Sequence, residues 1–471
     1  MKLLRLLPMT AMALASMSAM ADSTTDLVNA LVAKGVLTEE EGKLLSKGHE
    51  SEKAAQDKVL EKSSKSGGKV TISDAIDNAT IYGDIRARYE FRRGEDSSNI
   101  TEDRERGRYK LVLGVKTNAG DFYSDIALSM GANGRSDNST FGNAANSSNG
   151  SNTKETVYVK RALLGWKVTD WLKVEAGRVA NPLYTTPMVW DGDLTFEGLV
   201  EKVEYQWGKV NLFANFAQSQ YIGDRQDFTI INNDRVTNDL MAFQGGAKFD
   251  INERVSAKAA LTFTKFSNDH APGAGPFVPG LGSDSGRGVS LGTTTTATND
   301  IRTIEIPAEV VFKLNDSMKL MAFSDYVTNL DGKDRYEAAV AAATASSAAR
   351  GAVIRSAGHD DKAWLLGVGL SSQQGKQPKR GDWSSRLWYQ DVGIYALDPN
   401  TVDSDFMDSR VNMKGIVLKG EYFLRDNVVV NLAVGHANRK NDKLSAAASQ
   451  SDIALNLDSF SLYQMDITYR F

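Results

Sequence analysis

Between Ile81 and Phe91 the chain alternates. Ile81, Ile85, Ala87, Tyr89 and Phe91 share one parity, and Tyr82, Asp84, Arg86, Arg88 and Glu90 the other. A period of two is what a strand with chemically different faces requires. The pattern returns at Tyr109, Leu111, Leu113 and Val115, set against Arg108, Lys110 and Lys116. It returns again at Ile304 to Leu314, at Ile416 to Leu424, and at Tyr463 to Phe471. Counted along the chain there are about sixteen such segments, an even number within the range of bacterial membrane barrels.

The connections alternate in length. Short turns are expected at Asn118 to Gly120, Thr169-Asp170, Gly208, Ile251 to Glu253, Asn315-Asp316 and Arg425 to Asn427, with a longer one at Gln373 to Gly381. Long polar connections lie between them: Gly94 to Asp103, Gly131 to Thr153, Ala180 to Thr195, Ile222 to Asn238, Ser267 to Asp300, Asp331 to Asp361, Ala396 to Ser409 and Asn438 to Ser451. With antiparallel strands, this alternation gathers the short turns on one rim and the long loops on the other, as in outer-membrane barrels. Trp166, Trp171, Trp207, Phe249, Trp383 and Phe423 cluster near the short turns, where an interfacial aromatic girdle belongs. The fold class expected is therefore all-β: an antiparallel transmembrane β-barrel of about sixteen strands over 80–471, preceded by a short helical segment.

The segment before the barrel reads differently. Lys2 and Arg5, an apolar stretch and Ala19-Met20-Ala21 form a signal peptide over 1–21. Residues 22–62 carry helical spacing, with Gly35 fitting a C-terminal cap and Thr38 and Glu41 a capping box. A Ser/Gly-rich linker follows over 63–79. After the first two dozen residues no apolar run approaches the roughly 20 residues of a membrane helix.

Composition narrows the chemistry. The 471 residues include no cysteine, which removes disulfides and thiolate metal sites, and the net charge of −4 gives no case for nucleic acid. The four histidines, His49, His270, His359 and His436, show no spacing for a metal centre or a hydrolase site. No enzyme, cofactor or dedicated metal is expected. The acidic cluster Asp403, Asp405 and Asp408 has calcium-binding chemistry, set against the plainer reading of a solvated loop or of carboxylates bridging lipopolysaccharides through divalent ions.

Parity places other charges firmly. If Ile85 and Tyr89 face lipid, then Asp84, Arg86, Arg88, Glu90 and Arg92 face the lumen. So do Arg106, Arg108, Lys110 and Lys116 on the next strand. An Arg or Lys in the lipid midplane costs about 2–4 kcal/mol. These residues are candidate pore-lining and selectivity groups, and their plainer role is wall solvation with cross-strand ion pairs.

The segments YGDIRARYEFRR, RERGRYKLVLGVKTNAGDF, WKVTDWLKVEAGRVANPLYTTPMVWDGDLTFEGL, DKAWLLGVGL and DSDFMDSRVNMKGIVLKGEYFLRDNV resemble the putative-porin family of Gram-negative outer membranes. The resemblance implies a passive diffusion pore in the outer membrane, in contact with lipid and lipopolysaccharide, with both termini periplasmic. By analogy it also implies a homotrimer, and a third loop, Ala180 to Thr195, folded inward with Asp191, Asp193 and Glu197 as candidate constriction residues. The closing Tyr469-Arg470-Phe471 matches the general outer-membrane pattern, so Phe471 is the candidate signal to the barrel-assembly machinery. A weak anion preference is expected. Two other readings remain at this stage: a structural or adhesive barrel with a plugged lumen, and the sheath of a multi-protein conduit.

Overall fold

The computed structural model describes residues 76–131, 136–142, 154–226, 235–267, 277–282, 301–375, 377–447, 453 and 456–471, with side chains of 221–226 and 235–238 left undescribed. The expected signal peptide, helical segment and most of the linker lie outside these residues. The strands belong to a unit spanning Ser73–Phe471.

Strand segments run in chain order as β1 (Asn78–Asp96), β2 (Thr101–Ala119), β3 (Phe122–Gly131), β4 (Ser139–Thr140), β5 (Thr156–Lys167) and β6 (Leu172–Ala180). Next come β7 (Thr195–Trp207), β8 (Val210–Gln226), β9 (Arg235–Asp250), β10 (Val255–Ser267), β11 (Arg302–Glu305) and β12 (Ala308–Lys313). The last are β13 (Met318–Asn329), β14 (Lys362–Ser372), β15 (Trp383–Val392), β16 (Met413–Arg425), β17 (Val428–Arg439) and β18 (Leu457–Arg470). Each pairs antiparallel with its neighbours, and β18 pairs with β1 from Asp84↔Arg470 upward, so the sheet is closed.

Two segments are fragments of interrupted strands. Both β3 and β4 run beside β2, and both β11 and β12 run beside β10 and β13. Pro307 separates β11 from β12 because it has no N–H to give the ladder. The wall therefore has sixteen staves.

The parity expected for β1 and β2 is the observed one. Ile81, Ile85, Tyr89, Leu111 and Leu113 are exposed on the outer face, as are Tyr463, Met465, Ile467 and Tyr469 of β18. Trp166, Trp171, Trp207, Phe249 and Phe471 are exposed near the short-turn rim. Phe423 departs from the expected girdle: it is buried, on the opposite parity from exposed Tyr422 and Leu424.

The short turns lie where the sequence put them, but three long connections differ, and in Ile222 to Asn238 the strands β8 and β9 stay paired up to Gln226↔Arg235. Gly94 to Asp103 is not a loop: β1 and β2 stay paired up to Glu95↔Thr101, leaving only residues 97–100 as a turn. Residues 331–361 carry two helices, α1 (Gly332–Ser346) and α2 (Ala348–Ala357), with Ser347 accepting from the Arg350 N–H as the α2 cap. Alanine has the highest helix propensity, so this Ala-rich stretch is a helix former as well as a low-complexity one. Ala339, Ala343 and Ile354 are buried beneath it.

Candidate functional site

The inner face of β1, β2 and β18 carries the expected basic arc. Arg88 donates through Nε and Nη2 to the two Asp466 oxygens at 2.8 and 3.0 Å, the bidentate geometry that fixes a guanidinium most firmly. Glu90 is wholly buried among four arginines, lying 3.8 Å from Arg88, 3.3 Å from Arg92 and 3.6 Å from Arg108, with Arg106 also paired to it. Arg86 reaches Asp466 at 3.6 Å and donates to Asn138. Lys110 pairs with Asp84 at 3.3 Å, and Lys116 sits over the Tyr82 ring. Alternation along two adjacent strands thus brings all nine candidate wall residues to one side of the lumen.

The connection between β15 and β16 supplies counterions that the sequence reading missed. Arg88 Nη1 donates to Asp405 at 3.0 Å, and Arg92 Nη1 donates to Asp408 at 3.2 Å and to the Ser404 carbonyl at 3.1 Å. Asp408 also receives Arg410, and Asp403 pairs with Lys419 at 3.4 Å. The acidic trio pairs with arginines and a lysine instead of lying in a freely solvated loop. Burial alone raises the Asp405 carboxyl, yet Arg88, Arg92 and Lys419 hold it well below the usual carboxylate range. Met407, Asp408 and Ser409 all have φ between 53° and 66°, a left-handed backbone costing on the order of 1–3 kcal/mol per non-glycine residue. The ion pairs at Asp408 hold this strained turn against the arc. A match between an acidic run with apolar Val402, Phe406 and Met407 and an arginine-rich strand was the signal available in the sequence.

The connection between β6 and β7 packs against the inner face of the wall. Leu183, Met188, Val189 and Trp190 are buried against Val179, Phe196 and Val200. Asn181 Oδ1 accepts from the Leu183 N–H at 2.9 Å, and Pro182 fixes φ within that turn. The chain then runs along the inner face of β9 to β13. The Tyr184 N–H donates to Gln244 Oε1 at 2.8 Å, and Gln244 Nε2 donates back to the Tyr184 carbonyl at 2.9 Å. Thr185 and Thr186 donate through their hydroxyls to Glu305 and Asp325, each at 2.6 Å. Lys258 Nζ lies 3.7 Å from the centre of the Tyr184 ring.

The two inward connections dock on each other. The Asp191 N–H donates to the Thr401 carbonyl at 2.6 Å, the Ser404 N–H to Asp191 Oδ2 at 3.0 Å, and the Asp403 N–H to the Pro187 carbonyl at 3.2 Å. Burial, with the charges of Asp403 and Asp193 beside it, pushes the Asp191 carboxyl up to about 6. Asp193 lies 3.9 Å from Lys160. Glu197 does not join this edge. It alternates with buried Phe196, points outward and pairs with Arg178 of β6.

An apolar outer band around a charged inner face is the construction of a transmembrane β-barrel with an aqueous interior. Residues 92–278 match the family model described as putative porin. Among solved structures, the chain is similar to the outer membrane channel DcaP of Acinetobacter baumannii, at 13% identity over 85% of this chain and 99% of that one, with a TM-score of 0.43. It is also similar to OprB of Pseudomonas putida at high pH, at 10% identity over 83% and 94%, with a TM-score of 0.48. A third is OmpF of Salmonella typhi in complex with daunomycin, at 12% identity over 86% and 100%, with a TM-score of 0.44. No curated protein sequence matches the chain.

Proposed function

We propose that the chain is an outer-membrane porin, a water-filled channel through which small hydrophilic solutes and ions diffuse passively, with no catalytic step. The observation that carries this is a closed sixteen-stave wall, apolar outside and charged inside, narrowed by two inward connections. A barrel of about this size encloses a channel, whereas one of eight strands is filled by its own side chains. On the inner-facing parity of β1 and β2 arginines and lysines outnumber acids, but Glu90, Asp405, Asp408 and Asp466 meet them, so the anion preference is weak. In this reading the short turns are periplasmic, the protein assembles as a homotrimer among lipopolysaccharide, and Phe471 marks it for the assembly machinery. Phe471 exchanges backbone hydrogen bonds with Gly83 at 2.9 and 3.1 Å, and its ring covers the space where a Gly83 side chain would stand.

Single-channel recording of the purified chain in planar bilayers tests the reading. A steady conductance that rises on deletion of Leu183 to Trp190 is expected. A folded barrel without conductance, before and after the deletion, makes it a plugged structural barrel instead. An epitope inserted at Ser98 is expected to be accessible on intact cells, and one at Asn315 inaccessible; the reverse overturns the orientation.

A further inference from the structure

The inner wall a few staves from the basic arc, on β13 to β15, holds a feature that the channel reading leaves unused. On β14, Gly367 and Gly369 face the lumen and carry no side chain. By register Gly367 stands between Phe323 and Trp388, and Gly369 between Met321 and Arg386. A Cβ on Gly367 would come within 2.4 Å of the Phe323 ring and 2.7 Å of Trp388 Cβ. The neighbours therefore close over the glycines. Phe323 and Trp388 meet edge to face with centroids 6.3 Å apart, and Met321 and the Arg386 stem cover Gly369. The result is an apolar platform on the wall of a cavity of about 500 Å³, roofed by Tyr184 to Pro187.

Charge sits at one edge of the platform. Arg386 is exposed to the cavity and has no acidic partner among the described residues. Arg86 and Arg88 of the basic arc, which line the same cavity, are by contrast paired. Beside Arg386, Lys419 lies 5.6 Å from the centre of the Trp388 ring but is held by Asp403. Glu421, two positions from Lys419 on β16, accepts from the Ser384 hydroxyl at 3.0 Å. One open guanidinium next to a carboxylate accommodates one negative charge and disfavours a second.

We propose that this platform is a binding subsite for small monocarboxylates with an apolar body, the carboxylate on Arg386 and the body on Phe323, Met321 and Trp388. The proposal rests on the channel reading and names the solute class that the channel retains. Ligand sites of this kind pair a mostly apolar wall with few orienting polar groups, in volumes of roughly 300–1,000 Å³.

Phenylacetate is the probe, titrated calorimetrically into the folded, detergent-solubilised full chain and added in parallel to single channels. Saturable binding and concentration-dependent current interruptions are expected, with neither from acetate nor from 2-phenylethanol. Arg386→Gln should weaken binding about tenfold or more, the usual loss when a charged hydrogen-bond partner is removed, and Arg386→Lys should restore part of it. The altered side chain is exposed and makes no ion pair among the described residues, so heat-modifiable mobility on gels should stay that of the parent. Equal affinity in Arg386→Gln, or acetate binding as well as phenylacetate, overturns the subsite. If Arg386→Gln does not fold, the acetate and 2-phenylethanol comparison on the parent still decides. A chain that binds phenylacetate but conducts nothing refutes the channel and leaves the subsite. A conducting chain that binds none refutes the subsite alone.

Discussion

Two stretches of the lumen wall hold charge in opposite ways. On β1, β2 and β18, Arg86, Arg88, Arg92, Arg106 and Arg108 crowd together, and Glu90, Asp405, Asp408 and Asp466 are laid among them. Further round the same wall, on β13 to β16, Arg386 stands open beside an aromatic platform. The dense stretch is close to neutral over a few ångströms, and the second presents an unspent cation. A passing solute responds to the residual field rather than to the number of arginines. That field reaches about 8–10 Å at physiological salt.

The sharpest way to break this contrast is to remove the counterion at the centre of the dense stretch. Glu90→Gln leaves four guanidiniums facing a neutral amide in a buried site, and a destabilisation of about 3–5 kcal/mol is expected. Glu305→Gln, on the far wall, keeps an oxygen to accept the Thr185 hydroxyl and changes the contact with the neighbouring Asp325 carboxyl, and should cost about 0.5–1.5 kcal/mol. Urea unfolding of the folded barrels compares the two, and a Glu90 variant as stable as the Glu305 variant would show that the arc is not held by its acids.

A smaller effect is expected from Asp405→Asn, which releases Arg88 and Arg92 toward the pore. Zero-current potentials under a salt gradient should move toward anions, and the shift should shrink in high salt as screening sets in. A move toward cations would mean that Asp405 does not face the conducting path.

The smallest effect concerns the junction of the two inward connections. The Asp191 carboxyl is raised from its ordinary value of 3.8 to about 6, so the folded junction holds its proton more tightly than the unfolded chain does. Its stabilising contribution is complete below about pH 4 and is lost as pH rises through about 6. Docking should therefore be firmer at pH 5 than at pH 7.5, seen as quieter single-channel current. Asp191→Asn should be quiet at both values, and an unchanged pH response in that variant would assign it to other groups.

The wall was largely legible because parity is a local property. Ile85 out and Arg86 in follow from one alternating segment and from the cost of charge in lipid. The inward reach of Leu183 to Trp190 was legible by analogy, supported by four apolar residues ill-suited to an exposed tip. What stayed hidden depends on contacts distant in sequence. Asp405 meets Arg88 across 317 positions, and the acidic, apolar run TVDSDFMDSR shows the kind of strand it suits without showing which one. Glu197 was assigned to the loop edge by proximity, but the loop ends at β7, where parity resumes and turns it outward. Pro307 could have flagged the break between β11 and β12, since an alternating run with a proline inside is a weaker strand.

Closure of the sheet has a kinetic side. Asp84 of β1 pairs with Arg470 of β18, so the seam joins segments separated by nearly the whole barrel sequence. Every other wall contact can form between neighbours as they become available, but this one waits for all of them. Contacts of such long sequence separation fold slowly. Until the seam forms, β1 and β18 each expose an unpaired edge, the template that drives strands of different molecules together. The slow step and the aggregation hazard therefore fall on the same two strands, and an escort that masks either edge would relieve both.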